Sequence, residues 1–478
     1  MQSGHKRSAF WIALFVLSAS SLALPFLLVH DPPLLDYPNH LARTFILSHL
    51  HDPAYKFSAY YQADWKPYPY VLWDILMVAL QHVLPVEAAG KLLLILTTAL
   101  LPVAVAWFLW QVNRTEVKLS LLACALSYSP LFLWGLEPFH LSMGLSFLMA
   151  GTWFWYRRKP TVVRAVLFFV LTFATYLTHL LGFAIAVLIL VLFELTRFNW
   201  RDWLRLACFL APELLLSVWA HPGLEGHDAM VWQPIMERLG LLRIYLNYGY
   251  NTNLDRCVLG GLALCPLVAI AGNRELRVNW RWLVVALGIL GLFLLLPHVV
   301  GASYLVNVRL LPPLYFVSLA VLRIGRRANW IAVLAVALTA LRVFDVATGF
   351  RNEAQANAVM DRGIDQIPRN VRLFGVLDDN EGPDPYDHGF GHYWDYAVIR
   401  RGAITGDLFD IAGQTPMRII YEPYNYDFED QPDDWKIIEE SYDYIWCYYD
   451  KSDQGKISTF ADKVFEDGPL TIYRVRER

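Results

Sequence analysis

The chain is dominated by long runs of apolar residues separated by short polar segments. A membrane-spanning helix needs about 20 predominantly apolar residues, because the hydrocarbon core of a bilayer is about 30 Å thick. The runs that approach this length lie at residues 8–29, 89–110, 118–135, 140–156, 162–178, 182–197, 203–220, 256–272, 282–297, 303–322 and 328–345. This pattern predicts an α-helical polytopic membrane protein with about eleven transmembrane helices.

The loops between these runs sort by charge. Lysine and arginine collect at residues 6–7, 114–118, 157–164, 197–205, 274–281 and 323–327, and the short loops at 137–140, 179–182 and 297–303 contain none. Because basic residues accumulate in cytoplasmic loops, the N-terminus is predicted to be cytoplasmic and the segment after the eleventh run to lie outside. The first run has no small-x-small cleavage site before His30, so we interpret it as an uncleaved span.

The segment 71–84 is apolar but short, and it carries Asp74, Gln81 and His82. Counting it as a span would place the basic loop at 157–164 outside, so it is predicted to be a re-entrant or interfacial helix. Residues 30–88 then form a long outer loop, and residues 221–255 form a second one.

The sequence changes character near residue 347. Short β-rich runs at 371–377, 418–424, 442–449 and 470–475 alternate with helical patterns such as 351–367. They predict a transmembrane domain over 1–346 and a small α/β soluble domain over 347–478.

Composition and charge agree with this division. The chain is 56% hydrophobic and 17% charged, with a mean hydropathy of +0.35, whereas globular domains are about 45–50% apolar and about 25% charged. From Arg351 onward there are 26 acidic and 14 basic residues, against 17 and 26 before it. The five cysteines show no metal-ligand spacing or disulfide pattern, and no phosphate-binding glycine loop or basic nucleic-acid patch is present.

A dense group of ionisable residues follows the first run, in the segment His30-Asp-Pro-Pro-Leu-Leu-Asp-Tyr-Pro-Asn-His-Leu-Ala-Arg43. Its prolines break regular structure, and a helix starting near Asn39 would place His40 and Arg43 on one face. Asp36 would precede the N-terminus of that helix, a position that favours a carboxylate. Asp36 and Asn39 are then either turn and cap residues, or Asp36 is a base or metal ligand at the lipid–water boundary.

Twelve of the thirteen histidines fall on the outer side of the predicted topology. Histidines tolerate interfaces, but a one-sided collection of costly polar groups also indicates a water-accessible site that faces outward. Arg309 lies in the outer half of an apolar run, and a buried arginine requires an anionic partner, either a protein carboxylate or a lipid phosphate. The segments 384–388 and 392–395 combine Asp, His and aromatic residues, and they form either an ordered loop or a site for a metal or a polar acceptor.

A cytoplasmic N-terminus, one span, a long outer loop that opens with Asp36 and a re-entrant apolar segment together resemble the GT-C glycosyltransferases. The resemblance covers the architecture of the whole chain and is sharpest at Leu35-Asp-Tyr-Pro-Asn-His-Leu-Ala-Arg43. Members of the family, such as protein mannosyltransferases and aminoarabinose transferases, transfer sugars from polyprenyl-phosphate donors on the periplasmic or lumenal face. Where related members carry an adjacent Asp-Glu pair, this chain has Asp36 followed by Tyr37. Two questions therefore stay open: whether Asp31 or His40 shares the role of base, and whether a divalent cation is needed.

The resemblance implies a transferase of the bacterial inner membrane with a periplasmic C-terminal domain, no certain cofactor, and a glycan, lipid or protein acceptor. Its implied roles fall into three sets: Asp36 and His40 as catalytic residues; Arg309, Arg43, His179 and His298 as ligands of the donor phosphate; and Asp31, Tyr37, Glu137 and His140 as substrate-binding residues. Besides the polyprenyl-phosphate sugar, the expected partners are membrane lipids and not nucleic acid. A transporter or flippase and a non-catalytic cell-envelope assembly protein are the alternatives.

Overall fold

Apolar runs that satisfy their backbone groups internally fold as helices, and helices dominate the computed structural model of this chain. The structure describes residues 2–220, 230–246, 249–300, 303–377, 390–420, 435–449 and 453–477. Within these ranges the α-helices are Gln2–Ser21, Leu24–Leu27, Tyr37–His49, Val71–Gln81, Val86–Val112, Leu121–Ala125, Pro130–Leu133, Glu137–Arg158, Val162–Thr178, Leu180–Leu195, Trp200–Ala220, Ile235–Leu246, Thr252–Ile270, Trp280–Leu295, Leu311–Val321, Arg327–Ala356, Ala358–Gln366, Tyr396–Arg401, Trp435–Ser441 and Gln454–Ile457.

Four helices within the described ranges are long and apolar enough to cross a membrane: Val86–Val112, Trp200–Ala220, Thr252–Ile270 and Arg327–Ala356. Other apolar helices, among them Val162–Thr178 and Leu180–Leu195, have 10 to 17 residues and are too short to meet that criterion. The helical fold agrees with a membrane protein. Eleven spans, the orientation and the kind of membrane stay predictions.

The run at 118–135 is not a single helix. It consists of the 3₁₀ segment Arg114–Ser120 and the short helices Leu121–Ala125 and Pro130–Leu133. Ser129 is extended, with a ψ of 163°, because the residue before a proline avoids the helical region. Residues 121–133 are buried, so the apolar character of this run reflects packing inside the protein.

The segment 71–84 forms the helix Val71–Gln81. Its 11 residues extend over about 16 Å, which is half the thickness of a bilayer core. Asp74 is fully buried in this helix. The length is therefore that of the predicted re-entrant or interfacial helix and not of a span.

The predicted boundary at 346/347 lies inside the 30-residue helix Arg327–Ala356. Beyond it, a four-stranded sheet has the order Leu373–Leu377, Tyr444–Tyr448, Leu470–Val475, Ala461–Asp467. The first two strands are parallel and the other neighbours are antiparallel. The strand Ala461–Asp467 was not predicted, because it is a charged edge strand whose side chains are mostly exposed.

The predicted strand at 418–424 begins as Met417–Ile419, and residues 421–424 lie outside the described residues. It does not join the four-stranded sheet but pairs with Tyr61–Ala63 of the first outer loop. In the same region, the Tyr61 hydroxyl donates a hydrogen bond to the Thr405 carbonyl oxygen over 2.8 Å. One apolar cluster also unites first-loop residues such as Leu41 with Trp394 and Leu408, so loop 30–88 and the C-terminal segment share a core.

Arg400 connects three parts of the chain through its guanidinium group. Its Nη2 donates to both carboxylate oxygens of Asp31 over 2.8 and 2.7 Å, and its Nε donates to Glu87 over 3.1 Å. Its Nη1 donates to Asp361 over 2.7 Å. The first outer loop, the start of helix Val86–Val112 and the C-terminal segment therefore meet at one cation.

Replacing Arg400 with glutamine should lower the free energy of unfolding by about 2 kcal/mol, because the nearly buried Asp31 carboxylate loses its guanidinium partner. Equilibrium unfolding in detergent micelles measures this change. Arg362→Gln is the matched control, since its pair with Asp467 is about half exposed and should contribute less than about 0.5 kcal/mol. Equal losses for the two variants would contradict the role assigned to Arg400.

Candidate functional site: an acidic–histidine cluster beside a buried arginine

Six ionisable side chains from three parts of the chain converge at the junction between the first outer loop and the C-terminal segment. We call this group the acidic–histidine cluster: Asp36, His40, Glu137, His392, Asp395 and Asp407. Five of the six side chains are at most 9% exposed, whereas that of Asp36 is 17% exposed. The cluster is thus buried, and Asp36 is the member that solvent or a substrate reaches most easily.

Asp36 stands directly before the helix Tyr37–His49, as the sequence predicts, but its side chain makes no capping hydrogen bond. Gly135 packs against it with a φ of +84°, and a β-carbon at this glycine would lie 2.4 Å from the Asp36 backbone nitrogen. A left-handed conformation and this close approach both require glycine. The Asp36 Oδ1 atom lies 4.0 Å from Nε2 of His392, so the first outer loop faces the C-terminal segment here.

Asn39 holds that segment in place. Its side-chain amide donates to the Asp407 carbonyl oxygen over 3.1 Å, and its Oδ1 accepts the backbone N–H of Phe409 over 3.0 Å. Asn39 is therefore more than a turn residue, because it fixes the main chain of residues 407–409 against the first-loop helix.

His40 lies between Glu137 and the C-terminal segment. Its Nε2 is 3.4 Å from Glu137 Oε2, and its buried Nδ1 has no hydrogen-bond partner among the described residues. Burial lowers the pKa of His40 well below its usual value, and the charges of Arg43 and His392 act in the same direction. The buried site therefore favours the neutral form of His40.

The C-terminal segment contributes His392, Asp395 and Asp407. His392 Nδ1 lies 3.5 Å from Asp407 Oδ2 and 3.8 Å from Asp395 Oδ2. Burial and the Asp407 carboxylate raise the pKa of Asp395 well above its usual value. Burial also acts to raise the pKa of Asp407, but the neighbouring His392 imidazole and the hydrogen bonds from Thr405 and Trp394 outweigh it and lower that pKa. The pKa values of Asp395 and Asp407 are thus shifted in opposite directions.

Arg43 and Asp31, assigned to phosphate and substrate by the resemblance, both have protein partners. Arg43 is 1% exposed, and its Nε and Nη2 donate to the two oxygens of the fully buried Asp74 over 2.9 and 3.3 Å. Asp31 binds Arg400, as described above. Both assignments stay predictions, but the charge of each residue is already compensated within the protein.

Tyr37 and His140 lie in the apolar interior. The Tyr37 side chain packs against Gly90, where a β-carbon would lie 2.3 Å from its hydroxyl oxygen. The ring of His140 makes an edge contact with Phe132, with centroids 4.8 Å apart. The structure brings neither side chain into a contact with the acidic–histidine cluster that would mark it as substrate-binding.

Arg309 differs from the other buried arginines of the described residues. Arg43 pairs with Asp74, and Arg342 pairs with Asp255 and Asp345. Arg238 donates to the carbonyl oxygens of Gln233, Leu294 and Leu296. Arg309 is 7% exposed, has no carboxylate within 4.0 Å in the described part of the chain, and leaves its Nε without a partner.

The immediate surroundings of Arg309 do not neutralise it. The Nδ1 of His179 accepts the backbone N–H of Leu181 over 3.1 Å, so the neutral ring carries its proton on Nε2. That Nε2 lies 2.7 Å from the Tyr70 hydroxyl and 2.9 Å from Nη1 of Arg309. The groups beside Arg309 are thus a neutral imidazole and a phenol, neither of which compensates its positive charge.

His298 is held away from this contact by Asn307, whose Oδ1 lies 3.0 Å from its Nδ1. Asn307 lies two residues before Arg309 in the chain, but no contact among the described residues joins the His298 ring to the guanidinium. Its role as a phosphate ligand stays a prediction.

One helical turn connects the acidic–histidine cluster with Arg309. Glu137 begins the helix Glu137–Arg158 and contacts His40. Two residues later, the Phe139 ring lies 5.3 Å from the His179 ring and 5.4 Å from the Arg309 guanidinium carbon. The partly exposed carboxylate of Asp36 and the guanidinium of Arg309 thus lie on either side of this turn.

The sequence singled out Asp36, His40, Glu137, His179 and Arg309. It offered the segment 392–395 either as an ordered loop or as a site for a metal or a polar acceptor. It missed Asp407, Asn39 as a fixing residue, and Tyr70. Asp407 is 368 residues from Asn39, and no periodicity connects positions so far apart. Residues 221–229, which belong to the predicted second outer loop, and the segment 384–388 lie outside the described residues.

Replacing Arg43 with methionine should lower the free energy of unfolding by about 3 kcal/mol, because it leaves the buried Asp74 carboxylate without a cation. The double variant Arg43→Met/Asp74→Leu should recover most of that loss, since both charges are removed together. Equilibrium unfolding of the two variants measures the difference. A double variant as unstable as the single one would show that the guanidinium serves something other than Asp74.

Comparison with known proteins adds no identity to this geometry. Searches against protein-family models and against curated proteins give no match for this chain. Its function therefore has to be argued from the two groups on either side of the turn at Glu137: a buried acidic–histidine cluster and an arginine that lacks an anion.

Proposed function

We propose that this chain is a membrane glycosyltransferase of the GT-C type that uses a polyprenyl-phosphate-linked sugar as donor. The observation that carries the proposal is that a buried guanidinium with no carboxylate partner among the described residues, Arg309, and a partly exposed carboxylate, Asp36, lie on either side of the helical turn that begins at Glu137. A phosphate-linked substrate needs a fixed cation for its leaving group and a base for its acceptor, and these two residues supply both.

Arg309 fits the phosphate because a guanidinium binds two oxygens of a phosphate at once, and the site around it is closed to water. His179 and Tyr70 lie beside it and offer further polar hydrogens. As the bond between the sugar and the phosphate breaks, negative charge grows on the phosphate oxygens. A cation already in position stabilises that charge without reorganising, which is usually the largest electrostatic contribution to catalysis.

Asp36 is suited to act as the general base, because a carboxylate near the surface can accept the proton of an attacking hydroxyl. In the proposed step the acceptor oxygen forms a bond to the anomeric carbon of the sugar, and the bond from that carbon to the phosphate oxygen breaks. The acceptor proton moves to Asp36, and polyprenyl phosphate leaves. His392 Nε2 lies 4.0 Å from the Asp36 carboxylate on the side of the C-terminal segment.

The lipid tail of such a donor needs an apolar surface near Arg309. Arg309 lies within the 3₁₀ segment Val308–Leu310, which leads directly into the apolar helix Leu311–Val321. A headgroup at Arg309 would leave the tail among these helices and the sugar toward Asp36.

Asp36→Asn should lower the rate of sugar transfer by about 100-fold or more, because the amide cannot accept a proton. Transfer from a panel of radiolabelled polyprenyl-phosphate sugars by purified protein in lipid nanodiscs measures this. Asp64→Asn is the control, since Asp64 is in the same loop but bonds Lys66 and Tyr68 outside the cluster. Transfer or donor hydrolysis that is equal in wild type and Asp36→Asn would exclude Asp36 as the base.

Arg309→Gln should weaken binding of a polyprenyl phosphate by roughly 30-fold, the effect of removing a charge-assisted hydrogen bond. Arg238→Gln is the matched control, because Arg238 is equally buried but its donors are taken up by carbonyl oxygens. Binding is measured by titrating labelled lipid into nanodiscs. Equal weakening by both variants would indicate a general loss of structure and contradict the phosphate site.

A further inference from the structure

The most unusual chemistry outside the proposed transfer step lies at His392, Asp395 and Asp407. One imidazole nitrogen and two carboxylate oxygens lie within 4.8 Å of one another, and all three side chains are at most 9% exposed. His392 Nδ1 is 3.5 Å from Asp407 Oδ2 and 3.8 Å from Asp395 Oδ2. Both distances exceed the 2.7–3.2 Å range, approximately, of an N–H···O hydrogen bond.

Asp395 supplies an independent observation. Its side chain is fully buried, and neither carboxylate oxygen accepts a hydrogen bond of ordinary geometry from the described residues, although the Asn39 amide and the Asp407 carboxyl group lie nearby. Burying a carboxylate without donors is costly unless a cation or a proton joins it. Its oxygen points at the imidazole of His392, so the unmet acceptor faces the interior of the cluster.

Asp407 is oriented as metal-binding carboxylates usually are. The indole N–H of Trp394 donates to its Oδ2 over 2.6 Å, and the Thr405 hydroxyl donates to its Oδ1. Such outer donors fix a ligand in position and leave the remaining lone pairs available. Asn39 also fixes the main chain of this loop through the Asp407 carbonyl oxygen.

A second group of similar composition shows what an already compensated cluster looks like. His30, Asp31 and Glu87 also come within ligand distance of one another. There the Arg400 guanidinium bonds both oxygens of Asp31 and one oxygen of Glu87, so a protein cation fills the position. No arginine or lysine contacts the side chains of Asp395 or Asp407 in the described part of the chain.

We propose that His392, Asp395 and Asp407 bind one divalent cation of the Mn²⁺ or Zn²⁺ class. A mixed set of one imidazole and two carboxylates suits the borderline ion Zn²⁺, and Mn²⁺ accepts it more readily than Mg²⁺ or Ca²⁺, which prefer oxygen ligands alone. Ligands about 2.1 Å from such an ion lie about 3.4 Å from one another in tetrahedral geometry. The distances of 3.5 and 3.8 Å from His392 need a contraction of only a few tenths of an ångström, and the ligand atoms of Asp395 and Asp407 lie within 4.8 Å of each other.

The position of the site gives the ion a structural consequence. It would join the loop that carries Asp407 to the segment that carries His392 and Asp395, and His392 in turn lies 4.0 Å from Asp36. The cation therefore orders the wall of the acidic–histidine cluster that faces the first outer loop. The proposal does not depend on sugar transfer, because binding is measured without donor or acceptor.

The test is titration of chelator-treated full-length protein in nanodiscs with MnCl₂ and, separately, with ZnCl₂. Calorimetry gives the stoichiometry, and pulsed electron paramagnetic resonance of the Mn²⁺ form detects the nitrogen of a histidine ligand. The expected result is one saturable ion per chain with a nitrogen coupling. Asp395→Asn and His392→Gln should each weaken binding by about 100-fold or more, and the nitrogen signal should vanish in His392→Gln.

Two further variants keep the result interpretable. Thr405→Val retains all three ligands and removes a donor to Asp407, so it should weaken binding by about 10-fold while the nitrogen signal persists. Glu87→Gln, in the cluster that Arg400 compensates, should leave binding unchanged. Absence of a saturable site in the wild type, or binding that survives both Asp395→Asn and His392→Gln, would overturn the proposal whatever the transfer assay shows.

Discussion

The contact between the first-loop helix Tyr37–His49 and residues 390–409 determines the geometry of everything that carries chemistry in this chain. Asn39 bonds the main chain at Asp407 and Phe409, and Arg400 bonds Asp31 at the start of the same loop. The strand Tyr61–Ala63 adds a second attachment through Met417–Ile419. Without these links Asp36 and His392 would not face each other, since more than 350 residues separate them in sequence.

Burial of charge follows one rule with informative exceptions. Arg43, Arg342 and Arg400 each pair with carboxylates, and Arg238 donates to carbonyl oxygens. These partners offset the cost of burying each cation in apolar surroundings. Arg309 and Asp395 depart from the rule in opposite senses. One is a buried cation without an anion among the described residues, and the other is a buried carboxylate that accepts no hydrogen bond of ordinary geometry there. An added anion at Arg309 and an added cation at Asp395 would each compensate the buried charge. The proposed phosphate site and the proposed cation site follow from these two residues.

Local signals in the sequence predicted the helical class, the position of most helices, the short helix at 71–81 and three strands of the C-terminal sheet. The break in the run at 118–135 was not predicted, because apolar residues serve a protein interior as well as lipid. Asp36 and Arg309 could be singled out from their surroundings alone, since a carboxylate before a helix and an arginine in an apolar run are locally unusual. Asp74 and Asp407 could not be assigned as partners, because their roles arise from contacts that only the tertiary fold creates.

A structure of the chain bound to a polyprenyl phosphate, determined by electron cryo-microscopy in nanodiscs, tests the central claim most directly. The account predicts the phosphate within hydrogen-bond distance of the Arg309 guanidinium and its free oxygen on the side of Asp36. A lipid phosphate bound elsewhere, with Arg309 instead paired to a protein carboxylate, would contradict the account and remove the main support for the transferase.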